Sequence, residues 1–133
     1  VSGAHLLVRL GEATAALPAG AVRRVVRSLR LYPLPGAGEG LLGLTEFAGE
    51  PLAVLDLGRM LGLEAAGGTT PSVTVVAWVG APAERELVGL AVDEALEVAD
   101  LEVAAAIAGG GELLVGDRPV RLIDLERLGE ETA

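Results

Sequence analysis

Short apolar runs separated by Gly, Pro and charged residues recur along the whole chain, and they predict strands rather than long helices. Residues 5–11 alternate, with Leu6, Val8 and Leu10 on one face and Leu7 and Arg9 on the other. After Gly11-Glu12, residues 13–18 return as a second strand. Further strands are expected at 22–31, 40–47, 51–55, 73–79, 87–92, 95–98 and 119–123, with turn residues between them. Residues 73–79, VTVVAWV, are the clearest of these by β-branched content. The loop 32–38 holds two prolines and two glycines and is expected to be irregular. Residues 101–108 are rich in alanine and are expected to form a short helix.

One pattern is written twice. Gly49-Glu50-Pro51-Leu52-Ala53-Val54-Leu55-Asp56-Leu57-Gly58-Arg59 is echoed by Asp117-Arg118-Pro119-Val120-Arg121-Leu122-Ile123-Asp124-Leu125-Glu126-Arg127. Pro51 meets Pro119, Asp56 meets Asp124 and Arg59 meets Arg127 at one offset, and Gly43 meets Gly111 at the same offset. Each copy reads as a buried strand that ends in an aspartate and leads into a short helix. An aspartate there caps the helix by accepting a backbone N–H from its first turn, a contribution of about 1 kcal/mol. Asp56 and Asp124 are therefore expected to be structural caps rather than catalytic groups. Two such units imply two similar half-domains sharing one core. The strand count and turn spacing give an all-β fold, either small barrels or a sandwich.

The chain has 133 residues, which suits one domain able to bury its own core without disulfides, and it contains no cysteine. Thiol catalysis and cysteine metal sites are excluded on that ground, and the same absence fits a cytoplasmic address. No uninterrupted apolar run approaches the roughly 20 residues of a membrane-spanning helix, so direct membrane insertion is not expected. Net charge is −9 and aromatic residues are few, which argues against nucleic acid as a partner. His5, the single histidine, has no ligand-spaced acidic or imidazole neighbour and is expected to be solvated near the chain end. Gly109-Gly110-Gly111 lacks the lysine and the following Ser or Thr of a phosphate-binding loop, and flexibility explains it better. Neither a metal nor a cofactor is implied, and no nucleophile, base and orienting acid can be assembled into an enzyme site.

The ten cations are all arginines, and Arg23, Arg24, Arg27 and Arg30 fall within one strand-forming stretch. That cluster reads either as a face for an acidic partner or as an edge strand whose charges discourage unwanted pairing.

The run Gly43-Leu44-Thr45-Glu46-Phe47-Ala48-Gly49-Glu50-Pro51-Leu52-Ala53-Val54-Leu55-Asp56-Leu57 resembles the signature of CheW-like domains, approximately G-V-I-N-L-R-G-x-V-I-P-V-I-D-L. Val88-Gly89-Leu90-Ala91-Val92-Asp93-Glu94-Ala95-Leu96-Glu97-Val98 is similar to a second stretch of that family, V-G-L-x-V-D-x-V-x-E-V. With the opening strand, the resemblance covers nearly the whole chain, 1–133, as a single CheW-like domain. It implies two small five-stranded barrels of OB or SH3-like kind, one over roughly 12–72 and the other over roughly 73–133 together with strand 5–11, with a groove between them. It also implies a non-catalytic adaptor that binds the regulatory domain of a CheA-type histidine kinase and the cytoplasmic tip of a chemoreceptor. Such an adaptor is cytoplasmic and reaches membrane-proximal assemblies only through its partners. A small-ligand-binding barrel, or an interaction module of a larger signalling protein, is the alternative. The candidate interaction residues are Arg24, Arg27, Glu46, Phe47, Ala48 and Gly49. Glu46 and Ala48 stand where the family pattern carries Asn and Arg, and Arg24 stands where it often carries Glu. These departures point to a divergent member whose partner has altered charges.

Overall fold

The computed structural model describes residues 2–27, 30–34, 40–63, 73–102, 112–115 and 117–128. Its strands are β1 (Ser2–Leu10), β2 (Ala13–Pro18), β3 (Val22–Arg27), β4 (Leu41–Phe47), β5 (Glu50–Asp56), β6 (Val73–Val79), β7 (Glu86–Val92), β8 (Glu94–Glu102), β9 (Glu112–Val115) and β10 (Arg118–Leu122). One short helix, α1 (Leu57–Met60), follows β5, and a single 3-10 turn, Ala19–Ala21, joins β2 to β3. The all-β expectation holds. Leu101 and Glu102 belong to β8 rather than to a helix, and the rest of the expected helix lies outside the described residues, as do Gly109-Gly110-Gly111 and Gly111's match with Gly43.

The strands form two five-stranded sheets with orders β8-β1-β2-β10-β9 and β3-β6-β7-β5-β4. These orders correspond term by term. In each sheet a hairpin, β9–β10 or β4–β5, lies beside a strand that runs parallel to its second member, β2 or β7. Leu122 pairs with Ala16 as Val54 pairs with Gly89, so the repeated motif occupies the same place in both sheets. The outer strands match as well. β3 carries a bulge at Val22/Arg24 against β6, and β8 passes two residues, Ala95 and Glu97, against consecutive positions of β1.

The strand allocation differs from the one expected at a boundary near residue 72. β2 joins β1 rather than the 12–72 half, and β6 and β7 join β3–β5 rather than the 73–133 half. One sheet is a circular permutation of the other, and pairing rather than sequence proximity decides membership. The expected barrels are also corrected: among the described residues neither sheet closes through ladder pairing of its outer strands. Side chains nevertheless bring the margins of the second sheet together, because the Arg24 guanidinium of β3 lies 5.8 Å from the Phe47 ring centre on β4. Tyr32 forms an isolated bridge to Leu44 of β4 through both backbone hydrogen bonds, 2.8 and 3.0 Å, within the stretch expected to be irregular.

The two sheets share one core. Leu6, Val8, Leu10, Ala15 and Leu17 from one pack with Val73, Val75, Ala77, Val79, Val88, Leu90 and Val92 from the other. Period-two alternation explains this: the same strands direct Leu7, Ala16 and Val76 to the opposite faces, where they are equally buried. The chain passes between sheets twice, at Ala19–Ala21 and at Asp93. The second crossing is pinned by the β1–β2 turn, where Gly11 N–H donates to the Asp93 carboxylate and Asp93 N–H donates to the Arg9 carbonyl at 3.0 Å. Arg9 adds an ion pair to Glu94 at 3.4 Å.

Gly89 shows how tightly the second sheet packs. A Cβ there would lie 2.8 Å from Thr74 Cγ2 and 3.2 Å from Val54 Cγ2. Ala16, its counterpart in the first sheet, has room for the methyl group that Gly89 must lack.

Candidate protein-interaction site

The β4–β5 hairpin carries the residues singled out in the sequence. Phe47 and Glu50 are the last paired residues, so Ala48 and Gly49 form a two-residue turn. Their φ angles are +53° and +80°, as a hairpin turn with two left-handed residues requires. Gly49 adopts this without cost. Ala48, the sole non-glycine residue with positive φ among the described residues, is strained by roughly 1 kcal/mol. The turn thus holds a short apolar side chain in a conformation that Asn or Gly would favour.

Glu46, Ala48 and Gly49 are exposed and Phe47 is half-buried. Arg24 reaches Phe47 within the range of a cation–π contact, worth about 0.5–1 kcal/mol at an exposed site. The structure therefore brings Arg24 to the hairpin tip. It does not bring Arg27 there. Arg24 pairs with Val76 and Arg27 with Val73, whose side chains face opposite sides of the sheet, so Arg27 lies toward the margin of the shared core.

Asp56 is observed as a helix cap, whereas Asp124 makes a similar side-chain contact with no helix after it. The Arg59 N–H donates to Asp56 Oδ1 at 3.1 Å, and α1 follows. At Asp124 the Glu126 N–H donates to Oδ1 at 3.1 Å, but residues 125–128 form a turn, which corrects the expected second helix. Leu57 and Leu125, the residues after each aspartate, both enter the shared core. His5 is half-buried rather than solvated, with Nδ1 2.9 Å from the Gly3 carbonyl.

A cavity of about 340 Å³ is lined by residues of both sheets. Trp78, Arg85, Gly20, Pro82, Asp124 and Glu126 help line it, and the Arg85 guanidinium stacks 4.7 Å from the Trp78 ring centre. Nothing in local spacing links Trp78 to Asp124, because β6 and the turn after β10 belong to different sheets and are brought together by tertiary structure, with Gly80 N–H donating to the Leu125 carbonyl at 3.0 Å. Among the described residues no three or more His, Asp or Glu side chains stand close enough to hold a metal ion.

With two permuted sheets, a shared core and a tight hairpin presented at one end, the molecule is a two-lobed all-β domain. The family model for the CheW-like domain matches residues 4–132, and the chain belongs to that family. Among solved structures it is similar to the crystal structure of the scaffolding protein TtCheW from Thermoanaerobacter tengcongensis, with a TM-score of 0.77 and 20% identity. That match covers 96% of this chain and 92% of the other, and it establishes a common fold. A comparison with curated proteins gives no match.

Proposed function

We propose that this chain is a non-catalytic adaptor of a chemosensory pathway, coupling the cytoplasmic tip of a receptor to the regulatory domain of a CheA-type histidine kinase. Family membership and the scaffolding role named for the similar structure support this reading. The observation that carries it is the hairpin tip: the middle of the signature-like segment, Glu46 to Glu50, forms an exposed turn joined by Arg24, so that three altered positions, Arg24, Glu46 and Ala48, lie together at the surface. Like charges across an interface cost several kcal/mol, so reversing a charge at such a place changes which partner is accepted. The chain is on this reading a divergent member acting in the cytoplasm within receptor assemblies. No helix among the described residues is long and apolar enough to cross a membrane.

Calorimetry at low and high salt tests this. The chain is expected to bind the kinase regulatory domain and receptor tip of its own pathway, and to bind those of a conventional system at least tenfold more weakly. Arg24→Glu with Ala48→Arg should narrow that gap. Equal affinity for the conventional partners overturns the divergence, and no binding to either kind of partner overturns the adaptor reading. The inter-sheet cavity favours one other reading, a small-ligand carrier, since its volume lies in the range of ligand pockets. Native mass spectrometry of the purified protein separates the two, because a carrier retains a bound molecule.

A further inference from the structure

Trp78 is the chain's single tryptophan, and its half-buried ring helps form the wall of the 340 Å³ cavity. The turn after β10 supplies Asp124, Leu125 and Glu126 to the same cavity, and Pro18 and Ala21 add apolar surface from the first crossing between sheets. The hydrogen bond from Gly80 N–H to the Leu125 carbonyl ties these parts together, so backbone from both sheets holds the cavity's shape.

Arg85 shows what the tryptophan ring accepts. Its guanidinium lies 4.7 Å from the Trp78 ring centre, and among the described residues it makes no ion pair, although two carboxylates line the same cavity. Asp124 spends Oδ1 on the Glu126 N–H, and neither Asp124 nor Glu126 makes an ion pair among the described residues. The lining thus sets one cation against two carboxylates, in a chain of net charge −9. Such a field draws cations and repels anions.

We propose that this cavity binds a small organic cation, a guanidinium group on a short alkyl stem. The planar cation stacks on Trp78 and donates hydrogen bonds to Asp124 and Glu126, while its methylenes lie against Pro18, Ala21 and Leu125. A compact ammonium satisfies the carboxylates but does not lie flat on the ring. An anionic ligand meets two like charges. Arg85 is an internal competitor: exposed, and placed between the turn 82–84 and β7, it yields the ring to an incoming guanidinium at the cost of one surface contact. The cavity lies at the small end of the range for ligand pockets, which suits a molecule of this size. This inference does not rest on the adaptor reading.

Titration of the purified chain with n-butylguanidinium chloride at constant ionic strength tests it, because emission from the lone tryptophan reports this cavity alone. A saturable change is expected, with a dissociation constant of roughly 1 mM or lower. n-Butylurea, neutral and of nearly the same shape, should bind about tenfold more weakly, and n-butylammonium should also bind more weakly. Glu126→Gln, at an exposed position, should lower affinity about threefold, and Asp124→Asn with Glu126→Gln about tenfold. Arg85→Ala should raise it about threefold by removing the competitor. Circular dichroism confirms the strand content of each variant. A wild type that shows no saturable change overturns the proposal. So does n-butylurea that binds equally well, a folded double variant that binds as the wild type does, or an Arg85→Ala chain that binds no more tightly. A blocked arginine tripeptide that binds more tightly than n-butylguanidinium assigns the cavity to another protein's arginine and overturns the small-ligand assignment.

Discussion

The segment after β5 and the segment after β10 start from one sequence pattern and end differently. After Asp56 the chain makes α1, with Leu61 N–H on the Leu57 carbonyl at 3.1 Å, and Gly62 at φ +76° lets Leu63 N–H return to the Gly58 carbonyl at 2.8 Å. Both ends of that one-turn helix are satisfied by the chain itself. After Asp124 the backbone closes only a turn, Arg127 N–H to the Asp124 carbonyl at 3.1 Å. Asp56 is buried and Asp124 is not. The shared feature is the leucine that follows, buried between the sheets in both copies. The comparison teaches that the repeat conserves an anchoring geometry, while the helix depends on what comes after it.

The largest effect should come from the feature held in common. Leu57→Ala and Leu125→Ala should each destabilise by about 2–5 kcal/mol in urea unfolding, since both empty space in one core. A tolerated change at either would break the equivalence of the two sheets. Next in size is the pair that packs differently: Gly89→Ala should cost about 1–3 kcal/mol because the added methyl meets Thr74 and Val54. Its counterpart Ala16→Gly should cost about 1 kcal/mol, mainly through backbone entropy. Equal costs would show that the second sheet is not the tighter one.

The caps give a smaller contrast. Asp56→Ala should cost about 1 kcal/mol or somewhat more, and Asp124→Ala only a few tenths, by the same unfolding measurement. A larger loss at Asp124 would mean that its turn carries more than its exposure suggests. The smallest change should have the opposite sign. Ala48→Gly should stabilise by about 0.5 kcal/mol, as relief of the left-handed strain slightly exceeds the added chain entropy.

Much of the architecture was legible in the residues. Alternation of Leu6, Val8 and Leu10 against Leu7 gave the first strand, and the Pro51/Pro119 and Asp56/Asp124 matches gave two corresponding units, which the register reproduces. The two-residue hairpin was not read from Ala48-Gly49, because alanine is a poor signal for a left-handed turn. For the site, Arg24 and Phe47 were both singled out, yet no local signal said that they meet, since β3 and β4 lie at opposite ends of their sheet's strand order.

Sequence alone determined most of the strands, their faces and the duplicated anchor, because these follow from period-two burial and from capping chemistry that acts over a few residues. Tertiary structure decided which strands share a sheet, the meeting of Arg24 with Phe47 and of Trp78 with the Asp124 turn, and the equivalent places of β3 and β8 as outer strands. Those depend on pairing between residues far apart in the chain, where register and packing select among arrangements that local preference leaves equal.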